Sequence, residues 1–308
     1  MAWSTNDIPD LSGKTAVITG ANSGLGLEST IALAAKGANV VAAVRDVAKM
    51  EAALETIRAD QPDASIEVVN LDLGDQANIT AAATSIVEAH PVIDILMNNA
   101  GVMAMPERQT ADGYEMQFGI NHLGHWTFTA LLLPSVESAP AGRVVTVTSI
   151  ARFQGKPVDS ANPHLRDGAY EPWRAYGQAK LANFHFGLGL ADRLAAAGSR
   201  AISLVAHPGL SNTNLQKTTA AESGGSIGGE WVTRAERFGM DQAKGALSQL
   251  RAATDPAASN GGYYGPRGAI NGAARGKRLF RRGSHAAAID TLWAVSERET
   301  GVTLSIGG

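Results

Sequence analysis

The chain has 308 residues, 44% hydrophobic and 18% charged, with 34 glycines, no cysteine and a formal net charge of −3. That composition suits one large α/β domain or two smaller ones, and the charge gives no reason to expect nucleic acid as a partner. Without cysteine there is no disulfide, no thiolate metal site and no Cys nucleophile.

The amino-terminal stretch MAWSTNDIPDLSGK lacks the basic-then-apolar order of a secretory signal. No uncharged apolar run reaches the ~18 residues needed to span a bilayer, so the expectation is a soluble, cytoplasmic protein. In chain order, TAVITG (15–20), NVVAAV (39–44), SIEVVN (65–70), IDILMN (93–98), RVVTVTS (143–149) and RAISLVAH (200–207) predict strands. Several are apolar almost throughout, as strands buried on both faces should be. The Ala- and Leu-rich segments 24–37, 46–60, 76–89, 112–136 and 172–197 predict helices, with Asp46 and Asp75 as N-caps. One helix between successive strands implies right-handed crossovers and a doubly wound parallel sheet. The predicted fold is a single α/β Rossmann-type domain over 1–308, with a core at 10–265 and a C-terminal helical extension at 266–308.

Beyond residue 208 the pattern loosens. ESGGSIGGEW (222–231) predicts a Gly-rich loop inside a substrate lid at about 212–240. A helix is expected over 241–254, a last strand in NGGYYG (260–265) and an amphipathic helix over 284–299. Arg267, Arg275, Lys277, Arg278, Arg281 and Arg282 form a basic run without an acid. It suits a solvated tail or an intersubunit contact better than an anionic membrane surface or charged partner, because glycines interrupt it.

TAVITGANSGLGLEST places Gly20, Gly24 and Gly26 between the first strand and the first helix. The GxxxGxG spacing differs from the GxGxxG dinucleotide fingerprint, but the physics is shared. Glycines let the backbone turn tightly and approach a pyrophosphate, which sits on the free N–H groups of a helix start. The bland alternative is a glycine-rich turn without a ligand; its place at the first strand–helix junction of an alternating chain argues against that. Proteins of this architecture that prefer NAD carry an acid near the end of the second strand, where VVAAVRD has Val44 followed by Arg45. A guanidinium binds a 2′-phosphate with two hydrogen bonds, whereas a carboxylate repels it. NADP(H) is therefore the expected cofactor, with NAD(H) the alternative if Asp46 binds the ribose instead of capping a helix.

RAYGQAKLAN (174–183) puts Tyr176 and Lys180 four residues apart on one helix face. Such a pair is often only solvated surface. The chemical alternative is that the ammonium lowers the phenol's pKa, so that the phenol exchanges a proton near neutral pH.

These features occur in one register: Gly20-x-x-x-Gly24-x-Gly26, Asp72 in LDL, NNAG at 98–101, Asn121 in GINHLG, Ser149 after a strand, Tyr176-x-x-x-Lys180 and HPG at 207–209. With them the chain resembles the short-chain dehydrogenase/reductase family over about residues 10–265. TGANSGLGLE, NNAGVM, NHLGHW and the long stretch between Ser149 and Tyr176 are similar to its retinol dehydrogenase-like and protochlorophyllide reductase-like branch. The resemblance implies that Tyr176 is the general acid in carbonyl reduction and the base in alcohol oxidation. Lys180 would lower its pKa and bond the nicotinamide ribose. Ser149 would hold the substrate oxygen, and Asn121 would anchor a water leading to the lysine.

For the cofactor, the resemblance implies that Gly20, Gly24, Leu25 and Gly26 form the pyrophosphate turn. Asn22 and Ser23 would join Arg45 at the 2′-phosphate. Asp72 and Leu73 would lie by the adenine, Asn99, Ala100 and Gly101 by the adenosine ribose, and Pro208, Gly209 and Thr213 along the nicotinamide side. It also implies a homo-oligomer, a dimer or tetramer, through the helices at 112–136 and 172–197, unless the additional carboxy-terminal stretch blocks or replaces those contacts. The leading function is interconversion of an alcohol and its carbonyl on an apolar small molecule. Reduction of an activated C=C bond, or a cofactor-binding regulatory role, are the alternatives.

Ser149 and Tyr176 stand 27 residues apart, long for the family, and the polar insert between them carries Pro157, Pro163 and Pro172. Tyr170 has no lysine four residues on, and Pro172 breaks a helix there, so Tyr176 is the better candidate. His122 and His125 lie three apart without a third ligand at fitting spacing, so no metal is expected. His185 and Phe186 read as packing or oligomer contacts. Met97 reads as core, and Met103 or Met105 as lining for an apolar substrate.

Overall fold

β-Branched runs flanked by caps and glycines assemble into one eight-stranded sheet in the computed structural model, which describes residues 2–212, 239–279 and 282–307. The strands are β1 (Thr15–Thr19), β2 (Asn39–Val44), β3 (Ile66–Asn70), β4 (Ile95–Asn98), β5 (Arg143–Val147), β6 (Ile202–Ala206), β7 (Tyr263–Pro266) and β8 (Ala274–Lys277). Their order is β3-β2-β1-β4-β5-β6-β7-β8. The first seven run parallel, as each crossover through a helix requires, and β8 returns antiparallel to β7. Order reverses between β1 and β4, the switch point where such sheets open a crevice at their carboxyl ends.

The helices are α1 (Gly24–Ala34), α2 (Val47–Asp60), α3 (Gln76–Ala89), α4 (Met116–Phe118), α5 (Gly124–Ser138), α6 (Pro172–Ala196), α7 (Gln242–Thr254) and α8 (Ala286–Thr300). Asp46 caps α2 by accepting from Lys49 N at 2.9 Å, and Asp75 caps α3 by accepting from Asn78 N at 3.0 Å. Alternation along β1 divides the core. Val17 joins Trp126, Phe186 and Trp293 on one face, while Ala16 and Ile18 join Met50, Leu54 and Leu250 on the other.

Two expectations need correction. The helix expected over 112–136 starts late and is broken. Residues 110–114 close a turn, with Thr110 N donating to Tyr114 O at 2.9 Å. Glu115 then caps α4, accepting from Gln117 N at 2.8 Å and Phe118 N at 2.6 Å. A π turn over Gly119–Leu123 follows before α5. The basic run is not simply a tail, because Ala274–Lys277 forms edge strand β8, paired as Tyr263↔Lys277 through Pro266↔Ala274. Backbone pairing suffices at an edge, so no apolar alternation announced it. Arg281 lies outside the described residues, as do Thr213 and most of the expected lid, including 222–231.

One face of α6 is covered by α8 of the same chain, the carboxy-terminal contact expected as the alternative to a second subunit there. Trp293 packs edge-on to Trp126 with centroids 5.0 Å apart and stacks on Phe186 at 5.6 Å. Gly189 permits this, since a Cβ there would stand 2.5 Å from Trp293 and 2.6 Å from Ile289. His185 and Phe186 are therefore intramolecular packing residues, His185 Nε2 lying 3.0 Å from His285 Nδ1. No described helix is long and apolar enough to cross a membrane.

Candidate active site

A cleft of about 550 Å³ opens along the carboxyl ends of β1–β6. Every residue expected at a cofactor lines it among those described: Gly20, Asn22, Ser23, Gly24, Leu25, Gly26, Arg45, Asp72, Leu73, Asn99, Ala100, Gly101, Tyr176, Lys180, Pro208 and Gly209. Ser149 lines it too, as do both Met103 and Met105. Asn121 does not reach the surface; it is wholly buried behind Gly101.

The glycine turn is shaped by what a side chain would hit. Gly20 has φ +67°, in the left-handed region, and a Cβ on Gly26 would stand 2.2 Å from Gly20 O. Side chains cap α2, α3, α6 and α7 at Asp46, Asp75, Glu171 and Asp241. Ser23 makes no such bond at α1, whose N-terminal residues line the cleft. Uncapped amides over a glycine floor fit the pyrophosphate of a dinucleotide.

Neighbouring side chains mostly brace this wall. Asn99 Nδ2 donates to Thr19 O at 2.8 Å, and its Oδ1 accepts from Gln249 Nε2 at 3.0 Å. Asp72 Oδ1 accepts from Gly74 N at 2.8 Å. Asn22 Nδ2 donates to Asp46 O at 3.1 Å. The Asp46 carboxylate is engaged as the α2 cap, while the exposed side chains of Arg45 and Lys49 flank the same end of the cleft. Lys49, in the first turn of α2, was not foreseen among the cofactor residues.

The opposite wall is built from buried side chains. Glu171 accepts from Trp173 N at 3.0 Å and Arg174 N at 2.6 Å, and Pro172 occupies the first turn, so α6 starts just before Tyr176. Tyr176 and Lys180 are 5% and 4% exposed. Burial pushes the Tyr176 phenol up to about 12, and a hydrogen bond with Ser149 pulls the other way. Burial pushes Lys180 down to about 8. Lys180 Nζ sits 5.9 Å from the Tyr176 ring centroid and donates to Val147 O at 3.3 Å, and desolvation dominates both groups.

Asn121 lies in the π turn. Its Oδ1 accepts from Val102 N at 2.8 Å and its Nδ2 donates to Val102 O at 2.9 Å. A Cβ on Gly101 would stand 2.9 Å from Asn121 Oδ1 and 3.3 Å from Lys180 Nζ, so glycine there leaves the space between amide and ammonium open. His122 Nε2 lies 2.8 Å from Ser296 Oγ, while His125 turns to Thr19 and Asn121 O; the two rings share no focus. Tyr170 donates to Met105 O at 2.6 Å and does not itself line the cleft. Phe153, Gln154 and Trp173 reach the cleft from the insert and helix start, which local spacing gave no means of foreseeing.

The site has counterparts. The short chain dehydrogenase family model matches residues 14–162. Human retinol dehydrogenase 13 is 39% identical over 207 residues, covering 67% of this chain and 62% of that protein. The chain thus matches less than two thirds of that curated relative's length. An uncharacterized oxidoreductase of Schizosaccharomyces pombe is 35% identical over 279 residues, covering 85% of this chain and 79% of that one. A crystal structure of an uncharacterized protein from Mycobacterium paratuberculosis superposes with a TM-score of 0.80 at 36% identity, covering 99% of this chain and 100% of that chain.

Proposed function

The chain belongs to the short-chain dehydrogenase/reductase family of NAD(P)-dependent oxidoreductases, in its retinol dehydrogenase-like branch, and from that premise we propose that it interconverts an alcohol and its carbonyl. The observation that carries the reading is that Ser149, Tyr176 and Lys180 line one wall of the cleft together, with the buried phenol and ammonium one turn apart on α6. A nicotinamide dinucleotide bound along the glycine turn would supply or accept hydride. Ser149 and Tyr176 would hold the substrate oxygen between two hydroxyls, and Tyr176 would move its proton.

With its pKa raised, the phenol is protonated at neutral pH and is ready to act as the acid of carbonyl reduction. Alcohol oxidation would need the ammonium of Lys180 drawn closer, off Val147 O. NADP(H) is the preferred cofactor in this proposal. Arg45 and Lys49 supply two cations where a 2′-phosphate would sit, and Asp46 is committed to its cap. Met103, Met105, Ile150, Phe153 and Trp173 surround the outer cleft, which suits an apolar substrate. The relatives named retinol dehydrogenases point to the same kind of alcohol.

The test is NADPH consumption against a panel of apolar aldehydes and ketones, with product analysis to separate carbonyl from C=C reduction. Tyr176→Phe is expected to lower kcat about 100-fold or more while NADPH still binds. Near-normal turnover in that variant would falsify the assignment.

A further inference from the structure

We propose that His125 is a positioning residue for this site, joining the Asn121 carbonyl in the π turn to the Asn99–Gly101 wall of the cleft through Thr19. The proposal rests on the reading of the cleft given above and adds a residue that does not line it.

Proton counting carries it. Thr19 Oγ1 accepts from Asn99 N at 3.0 Å and from Ala100 N at 2.9 Å, which uses both acceptor positions of a hydroxyl. Its one proton has two candidates, His125 Nε2 at 2.8 Å and Met97 O at 3.4 Å, and the shorter contact takes it. Nε2 is therefore the acceptor. The other ring nitrogen, Nδ1, carries the proton and donates it to Asn121 O at 3.0 Å. The ring is 1% exposed, so no water competes for either nitrogen. His125 is held as one neutral tautomer with both nitrogens committed.

The two ends of this link matter to the cleft. At one end, Gly124 N donates to Gly119 O, the i→i+5 bond of a π turn, and such turns re-aim the carbonyls they contain. The same Asn121 whose carbonyl His125 holds has its amide clamped to Val102. At the other end, the Asn99 and Ala100 amides are held by Thr19, and Gly101 follows directly, with Asn121 Oδ1 and Lys180 Nζ beside the space a Cβ there would fill. The imidazole thus sets the separation between the start of α5 and the turn after β4. A displacement there is felt at both Lys180 and the cofactor wall.

His125→Phe replaces the imidazole with a somewhat larger planar ring that makes neither bond. The expected result is a kcat lowered about ten-fold or more, since misplacement of this order is costly at a reacting centre. Thr19→Val should reproduce the loss and Thr19→Ser should rescue it. The double variant Thr19→Val/His125→Phe should be no worse than Thr19→Val alone, because that variant already breaks the link along with the two amide bonds to Thr19. Should His125→Phe fail to fold, the Thr19→Val and Thr19→Ser pair decides: equal kcat in the two overturns the proposal. Wild-type kcat in His125→Phe, or losses that multiply, overturns it as well.

A second readout needs no turnover. ¹⁵N-histidine spectra of the wild-type chain should show His125 with its proton on Nδ1, and a proton on Nε2 overturns the proposal. A wild-type chain that consumes no NADPH but shows the Nδ1 tautomer would defeat the enzymatic reading while leaving the link in place.

Discussion

Around Gly20–Gly26 the cleft wall is bare backbone, kept open by the absence of side chains and by a helix start that no side chain caps. Across from it, Asn121, Ser149, Tyr176 and Lys180 are side chains that are buried or tied to backbone groups at Val102, Ala151 and Val147. The first wall suits a ligand recognised by its phosphates, since N–H groups need no side-chain identity to bind an anion. The second suits chemistry, since burial moves pKa values only for groups that titrate. The first should therefore fail when something is added, and the second when something is removed.

The largest effect is expected from addition at the glycine wall. In Gly26→Ala the new methyl would meet Gly20 O at 2.2 Å and Asn99 Nδ2 at 2.6 Å, both part of the packed turn. Overpacking of this kind should weaken NADPH binding about 100-fold, read by fluorescence titration. Unchanged affinity would mean that the turn does not hold the dinucleotide.

Smaller effects should come from charge at the same wall. Arg45→Gln is expected to lower kcat/KM with NADPH about 10-fold and Lys49→Gln less, both with NADH little affected. A parallel loss with both cofactors would remove the 2′-phosphate from the argument.

The gentlest probe is acid, and it sharpens the contrast because the buried histidines are carried by the π turn, α5, α6 and the end of β6, none of them by α1 or β2. Burial pushes His122 and His207 down to about 3, and His125 and His185 down to about 4. Between the ordinary histidine pKa of 6.5 and those values, the unfolded chain binds protons that the folded chain does not. Stability therefore falls as pH drops through that window, by up to about 1.4 kcal/mol per pH unit for each such group. Melting curves at pH 7.5, 6 and 5 should show Tm falling with acidity. Hydrogen exchange should show α5 and α6 losing protection before α1. A Tm that is flat across this range would show that these rings are not held neutral.

Much of the molecule was legible in its sequence because the causes are local. Strands buried on both faces must be apolar throughout, Asp46 and Asp75 cap the helices that begin beside them, and Gly20 and Gly26 stand where a side chain would collide. Edge strand β8 was not legible, since its pairing needs only backbone. Nor was the burial of α8 against α6, which depends on Gly189 meeting Trp293 from about a hundred residues away. Lys49, Phe153 and Trp173 join the cleft only through the folding of distant segments.

The sequence by itself determined the order of strands and helices, the glycine turn and the presence of Tyr176 and Lys180 on one helical face, because each follows from neighbours a few residues apart. Only the tertiary structure decided what those two groups touch. It placed Lys180 on Val147 O, buried Tyr176 in the cleft wall with Ser149, and closed His125 between Thr19 and Asn121. The physical reason is that desolvation and hydrogen-bond partners depend on distance through space, which residue spacing along the chain does not specify.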